Sequence, residues 1–404
     1  MIHKPMVRNN ICINAHPRGC EVETQRQIEY IAARAPRYHA LSTKPKAVLV
    51  VGASTGYGLA SRIAATFGFG VPTVAVSYEK APSEKKTGTP GWYNNRAFDA
   101  ASRKAGIASR SIDGDAFSRE VKDLVIAAAR ELGLTFDLVI YSLASPVRLD
   151  PESGILYESA IKPIGDTYSG RSMNAFTREL GEASLPPATE TEIASTVKVM
   201  GGEDWELWID ALAKAGVLAQ GATTVAYSYI GPALSWPIYR DGTIGKAKAQ
   251  LEETVPRLRS TFKELGLTAF VSINKALVTR SSAIIPVIPL YISTLFKVMK
   301  ERGTHEDCTA QIDRLYRDRL YAGKIGGVPV DEEGRIRLDD LEMLQGVQAD
   351  IEARMAHVTQ DNLAKLTDVD GFKVDFLRAH GFEVPSVNYE LDVAPNYDPL
   401  AAGS

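Results

Sequence analysis

Tyr239 and Lys248 stand with eight residues between them in the stretch Tyr-Arg-Asp-Gly-Thr-Ile-Gly-Lys-Ala-Lys. A tyrosine near an ammonium can donate a proton or hydrogen bond to an oxygen that gains charge, because the cation favours the phenolate. Upstream lies the loop Gly52-Ala53-Ser54-Thr55-Gly56-Tyr57-Gly58. Its glycines permit tight turning and close approach of backbone to a pyrophosphate, which would rest on the positive end of a helix starting near Tyr57. A plain strand-to-helix turn would use the same glycines.

The tyrosine and lysine could not cooperate from one unbroken helix, where their side chains would point about 180° apart. Asp241-Gly242 supplies a turn, and Thr243 is the expected N-cap of a new helix from Ile244, so that Tyr239 folds back over that helix. Ile244, Ala247, Leu251, Val255, Leu258 and Phe262 form its apolar stripe. Lys248 then lies within about 40° of position 244, and Lys246 about 200° away. An ammonium at the core edge needs a partner, such as a ribose hydroxyl or the tyrosine, whereas solvent-facing Lys246 needs none. Pro256 is expected to kink this helix or end its regular part.

These residues require a frame. Residues 47–51 (Ala-Val-Leu-Val-Val) read as a strand buried on both faces, 59–67 as a crossover helix and 73–77 as a second strand, a βαβ unit. Further strands are expected at 108–112, 136–142, 223–229 and 269–273, with a helix over 117–132. The pattern predicts an α/β fold: a Rossmann-type doubly wound parallel sheet in an enlarged single domain. The extra chain comprises an extension over 1–45 with an amphipathic helix near 23–34, an insertion over 146–222 in a core of 46–300, and an extension over 301–404 with a hairpin at 328–338 and helices. Within the insertion, 155–158 and 162–165 suggest short strands, and Trp205, Trp208 and Leu212 share one helix face.

Ligands collect at the carboxyl ends of parallel strands. Glu79, past the second strand, could accept both ribose hydroxyls of an adenosine and repel a 2'-phosphate, favouring NADH, or could belong to the charged run 79–86. Asp115 and Leu143-Ala144 are either ligand contacts or turn residues. Tyr227 and Tyr229 point the same way, and Tyr229, nearer the carboxyl end, is placed either to touch substrate or simply to pack.

Bulk properties exclude other classes. A net charge of -3, from 46 basic and 49 acidic residues, favours neither nucleic acid nor an anionic membrane. The first residues lack the apolar run of a signal peptide, so a cytoplasmic location is the expectation. Cys12, Cys20 and Cys308 fit reduced thiols, and the six histidines form no ligand cluster, so no metal is expected. The apolar stretch 283–298 is too short to span a bilayer and contains Pro286 and Pro289. Its part 284–295 reads as a substrate-covering helix or a core helix.

Together, Tyr-x8-Lys, Ala226-Tyr-Ser-Tyr-Ile-Gly-Pro232, Gly242-Thr-Ile-Gly-Lys-Ala-Lys248 and the glycine loop resemble the FabV-type trans-2-enoyl reductases, enlarged relatives of the short-chain dehydrogenases. The resemblance runs from the amino terminus to about Pro399. It implies a monomer that uses NADH to reduce the 2,3 double bond of enoyl thioesters on acyl carrier protein or coenzyme A, in fatty acid biosynthesis. Gly52, Ala53, Ser54, Thr55, Gly56 and Tyr57 would bind the pyrophosphate side, and Tyr78 and Glu79 the adenosine ribose. Asp115, Ala116, Leu143, Ala144, Lys248, Leu277, Val278 and Thr279 would complete the cofactor site. Tyr229 would contact substrate and Tyr239 would be the proton donor. A 3-oxoacyl or other carbonyl reductase and a non-catalytic NAD-binding module are the competing readings.

Overall fold

The computed structural model describes residues 1–8, 11–279, 288–323 and 327–402. Short apolar runs such as Val48–Val51 and Phe136–Tyr141, buried at nearly every position, need a layer of helix on each side, and they form the centre of one parallel sheet. Its strands are β1 (Val48–Val51), β2 (Thr73–Ser77), β3 (Ser109–Asp113), β4 (Phe136–Tyr141), β5 (Leu218–Ser228), β6 (Thr268–Ile273) and β7 (Ile336–Arg337). The order is β7-β6-β5-β4-β1-β2-β3, every neighbouring pair parallel. The chain is thus an α/β protein with a Rossmann-type sheet. The six expected strands fall on β1 to β6. β5 begins earlier than expected, with a register shift between Leu218 and Thr223.

The hairpin expected at 328–338 is corrected. Ile336 and Arg337 pair in parallel with Ser272 and Ile273, extending the main sheet. The Asp331 amide bonds to the Arg335 carbonyl at 2.9 Å and closes a turn. The free edge of β6 gives Ile336 a fully buried place, which an isolated hairpin could not offer. Residues 162–165 form no strand either. Their carbonyls serve as anchors: Lys162 accepts from the Thr243 amide at 3.0 Å, and Pro163 from the Ala188 amide at 2.8 Å. The ladders in the insertion are Val147–Leu149 with Leu156–Glu158, and Tyr168–Met173 with Leu180–Leu185.

The helices that matter for the site are α1 (Pro17–Ala32), α2 (Gly56–Ile63, continued as a π turn over Ala64–Phe69), α3 (Pro90–Lys104), α4 (Arg119–Glu131), α5 (Glu190–Met200), α6 (Glu203–Lys214), α7 (Thr243–Thr261), α8 (Ile288–Glu301), α9 (Cys308–Leu315), α10 (Gln345–His357) and α11 (Val369–Arg378). One sheet face buries Val51, Val76 and Tyr141 against Val121, Trp208 and Leu251. The other buries Val50, Ile140 and Val225 against Leu59, Ile63 and Ile312. A third cluster joins Tyr239 and Leu277 to Tyr291, Leu295 and Phe372. α7 runs through Pro256 to Thr261, so the proline does not end the helix, and buried Leu258 packs the turn beyond it. Of the apolar stretch, residues 280–287 lie outside the described residues, while α8 is almost wholly buried. Among the described residues, no helix is long and apolar enough to cross a membrane.

Candidate active site

The glycine loop joins β1 to α2. At Gly52, φ is +88°, and an added Cβ would strike the Ser142–Leu143 peptide at the end of β4. At Gly56, φ is +54°, and the nearest atom to an added Cβ is Thr279 Cγ2, at 4.0 Å. Thr55 makes no side-chain capping bond, so the first amides of α2 lack a side-chain cap. Open space over an uncapped helix start suits an anionic pyrophosphate. Ala53 is buried, and the Tyr57 hydroxyl donates to the Lys275 carbonyl at 2.8 Å.

Ser54 Oγ donates to Glu79 Oε1 at 2.7 Å, and the Glu79 amide donates to Asp113 Oδ1 at 2.7 Å. Glu79 is therefore buried and held, not part of a solvated run. Tyr78 beside it is 81% exposed. Sequence patterning missed α3, whose first turns back this corner: Asn94 Nδ2 donates to the Ser54 carbonyl at 3.0 Å and Asn95 Nδ2 to Ser77 Oγ at 2.8 Å. The Thr89-Pro90 start, with proline in the first helical turn, was the available signal.

Asp115 Oδ1 accepts the Phe117 amide at 3.0 Å in the turn after β3. The Ala116 carbonyl accepts Lys122 Nζ at 3.0 Å and Trp208 Nε1 at 3.1 Å. These bonds make the turn rigid. Leu143 is half-buried and Ala144 exposed beyond β4. Leu277 is buried, and Val278 and Thr279 half-buried, beyond β6.

Beyond β5 the Tyr229 and Tyr239 rings meet edge to face, centroids 5.1 Å apart at 87°. Tyr239 is 8% exposed, and burial pushes its hydroxyl above the ordinary phenol value, so it keeps its proton at neutral pH. Gly245 explains how its segment lies over α7: an added Cβ would collide with the Tyr239 and Arg240 carbonyl oxygens. The expected Thr243 cap is corrected. Gly242 is the N-cap, and the Thr243 hydroxyl instead donates to the Ala160 carbonyl and accepts the Lys162 amide at 3.2 Å. The insertion competes for that hydroxyl.

Lys246 is exposed and Lys248 half-buried, as the helical wheel requires. Burial lowers Lys248 to about 8, with Glu252 opposing the shift. Its Nζ donates to the Tyr227 carbonyl at 3.4 Å, and no hydrogen bond joins it to Tyr239 among the described residues. A ligand between them would therefore be needed for the two to act together. Tyr227 itself is occupied by Ser61 Oγ at 2.6 Å.

The sequence reading missed Glu342, Tyr291 and Lys275 here. Glu342, fully buried, accepts the Tyr229 hydroxyl at 3.1 Å, the Tyr291 hydroxyl at 2.6 Å and the Ala276 amide at 2.7 Å. Burial raises its carboxyl, opposed by the Tyr291 bond and the charge of Lys275. Burial likewise lowers Lys275 to about 8, its ammonium 4.8 Å from the Phe296 ring centroid. No local pattern marks such residues, since their partners lie on other elements.

Strand order and loop define a dinucleotide-binding α/β fold with a tyrosine and a lysine at its carboxyl edge. The chain belongs to the trans-2-enoyl-CoA reductase family. The family's "NAD(P)H binding domain of trans-2-enoyl-CoA reductase" matches residues 2–84, its "catalytic region" 86–321, and an "Enoyl reductase FAD binding domain" 330–393. The chain is 56% identical to the trans-2-enoyl-CoA reductase [NADH] of Treponema denticola, over 97% of this chain and 98% of that one. It is 52% identical to the enoyl-[acyl-carrier-protein] reductase [NADH] of Flavobacterium johnsoniae, over 97% of each. The crystal structure of Treponema denticola trans-2-enoyl-CoA reductase in complex with NAD superposes with a TM-score of 0.95, covering 98% of this chain and 99% of that one.

Residues 330–393 do not fit a flavin dinucleotide. They contain no strand, glycine loop and helix in succession, and the start of α11 is already filled by the Asp368 carboxylate, which accepts the Gly371 amide at 3.1 Å.

Proposed function

We propose that this protein reduces the 2,3 double bond of trans-2-enoyl thioesters, carried on acyl carrier protein or coenzyme A, with NADH, as a step of fatty acid biosynthesis. The observation that carries this reading is a buried, protonated Tyr239 against Tyr229, close in sequence to Lys248 and at the same carboxyl edge as an uncapped glycine-loop helix. Gly52 to Tyr57 would hold the pyrophosphate, Tyr78 and Glu79 the adenosine ribose, Asp115 and Ala116 the adenine side, and Leu143 and Ala144 the crossing of the sheet. Leu277, Val278 and Thr279 would complete the cofactor site. Lys248 would hold the nicotinamide ribose.

Bound NADH supplies hydride to Cβ of the substrate. Charge then gathers on the thioester oxygen, where the Tyr239 hydroxyl donates a hydrogen bond that strengthens as the enolate forms. Lys248 favours the developing negative charge through its own. Tyr229 packs against Tyr239 and touches the acyl group. We also place the protein in the cytoplasm as a monomer, which light scattering on the purified chain checks.

NADH oxidation with crotonyl-CoA, and none with acetoacetyl-CoA, is the expected result. Consumption with acetoacetyl-CoA alone would transfer the assignment to a carbonyl reductase. Tyr239→Phe should bind NADH normally and lose about 10²-fold or more in kcat.

A further inference from the structure

One carboxylate links the C-terminal segment to the tyrosines of the site. Glu342 lies between β7 and α10, with no exposed surface. Oε1 accepts the Tyr229 hydroxyl at 3.1 Å and the Tyr291 hydroxyl at 2.6 Å. Oε2 accepts the Ala276 amide at 2.7 Å, at the residue before the stretch Leu277 to Thr279. Three donors from three elements converge on it: the end of β5, the helix α8 and the chain leaving β6.

We propose that Glu342 is a positioning residue of the reductase, fixing the rotamer of Tyr229, and through the edge-to-face contact that of Tyr239, while holding the 276–279 chain at the same point. This rests on the reading of Tyr239 as the hydrogen-bond donor to substrate. The chemistry follows from the direction of the bonds. Because the Tyr229 hydrogen is committed to Glu342, Tyr229 offers the substrate side only an oxygen lone pair. Donation to the thioester oxygen is left to Tyr239. The ring of Tyr229 packs 5.1 Å from that of Tyr239, so rotation of one about χ1 displaces the other. Glutamine cannot replace the carboxylate: with its oxygen toward the two hydroxyls, its NH2 would face the Ala276 N–H, donor against donor. The segment matched by the flavin description thus contributes to the thioester site, not to a second cofactor.

A double-mutant cycle on the full chain tests this, with crotonyl-CoA turnover and fluorescence titration of NADH as its readouts. Glu342→Gln should lower kcat about tenfold; in a Tyr229→Phe background the same change should cost only about threefold, because the part that passes through the Tyr229 hydroxyl is already gone and only the part acting through the Ala276 amide remains. Equal factors in both backgrounds, or an unchanged kcat in Glu342→Gln, would overturn the proposal. Should Glu342→Gln fail to bind NADH, the cycle is run with Glu342→Asp, which keeps the charge and withdraws it by one methylene; the same two outcomes decide. Tyr239→Phe, measured alongside, separates the two claims. Full turnover in that variant removes the donor role, whereas a deficient Tyr239→Phe with an additive cycle removes only Glu342.

Discussion

Burial sets the protonation of the side chains around Tyr239 before any ligand arrives. Lys248, lowered to about 8, is a cation below that pH and neutral above it. The activity kcat/KM should therefore fall as pH rises through about 8, the limb reporting the free enzyme. Stability from this group runs the other way. The folded chain holds the proton less tightly than the unfolded one, so between about 8 and the ordinary lysine value stability rises with pH, and the limb cannot be unfolding driven by Lys248. Lys248→Arg, always charged, should remove the limb. A limb that stays near pH 8 would place the titration on Lys275 instead. Glu79 carries a second prediction. Its carboxylate, fixed by Ser54, would repel a 2'-phosphate, so Glu79→Ala should narrow the NADH to NADPH ratio of kcat/KM about tenfold. An unchanged ratio would remove it from cofactor selection.

At the scale of elements, close backbone approach matters more than helix propensity. α7 can lie beneath the Tyr239 segment only because Gly245 has no side chain there. Alanine is ordinarily the better helix former, by about 1 kcal/mol. Here the added methyl meets backbone oxygens that cannot rotate away, so overpacking of about 1–3 kcal/mol should win. Gly245→Ala should lose stability on urea unfolding and lose kcat more than NADH affinity, since it moves Tyr239 and spares the loop at 52–58. A stabilised variant would show that the segment yields freely.

Across the whole molecule, polar bridges tie the insertion to the core. Asp204 of α6 accepts Lys122 Nζ at 2.8 Å from α4 and the Tyr141 hydroxyl at 3.1 Å from β4. Lys122 in turn holds the Ala116 and Phe117 carbonyls in the turn that follows Asp115. Removing one member of a buried pair strands the other charge, so Asp204→Ala should cost about 3–5 kcal/mol in denaturant unfolding. A loss within about 0.5 kcal/mol, the range of surface changes, would mean that water reaches Lys122.

Strands β1 to β6, the glycine loop and the stripe that buries Lys248 and exposes Lys246 were legible in the sequence, because each is a pattern within a few consecutive residues. α3 was not, since its buried face includes Asn94 and Asn95, whose partners are Ser54 and Ser77. Thr243 had the type and place of an N-cap, yet a stronger claim on its hydroxyl came from residues 160 and 162. β7 needed the free edge of β6, and Glu342 needed three donors brought together from elements far apart in the chain. Sequence by itself determined the α/β sheet, the glycine loop and which lysine turns inward, because periodicity and glycine placement act locally. Tertiary structure decided how Tyr239 is held, because orientation of a buried side chain depends on hydrogen bonds and packing that no local spacing encodes.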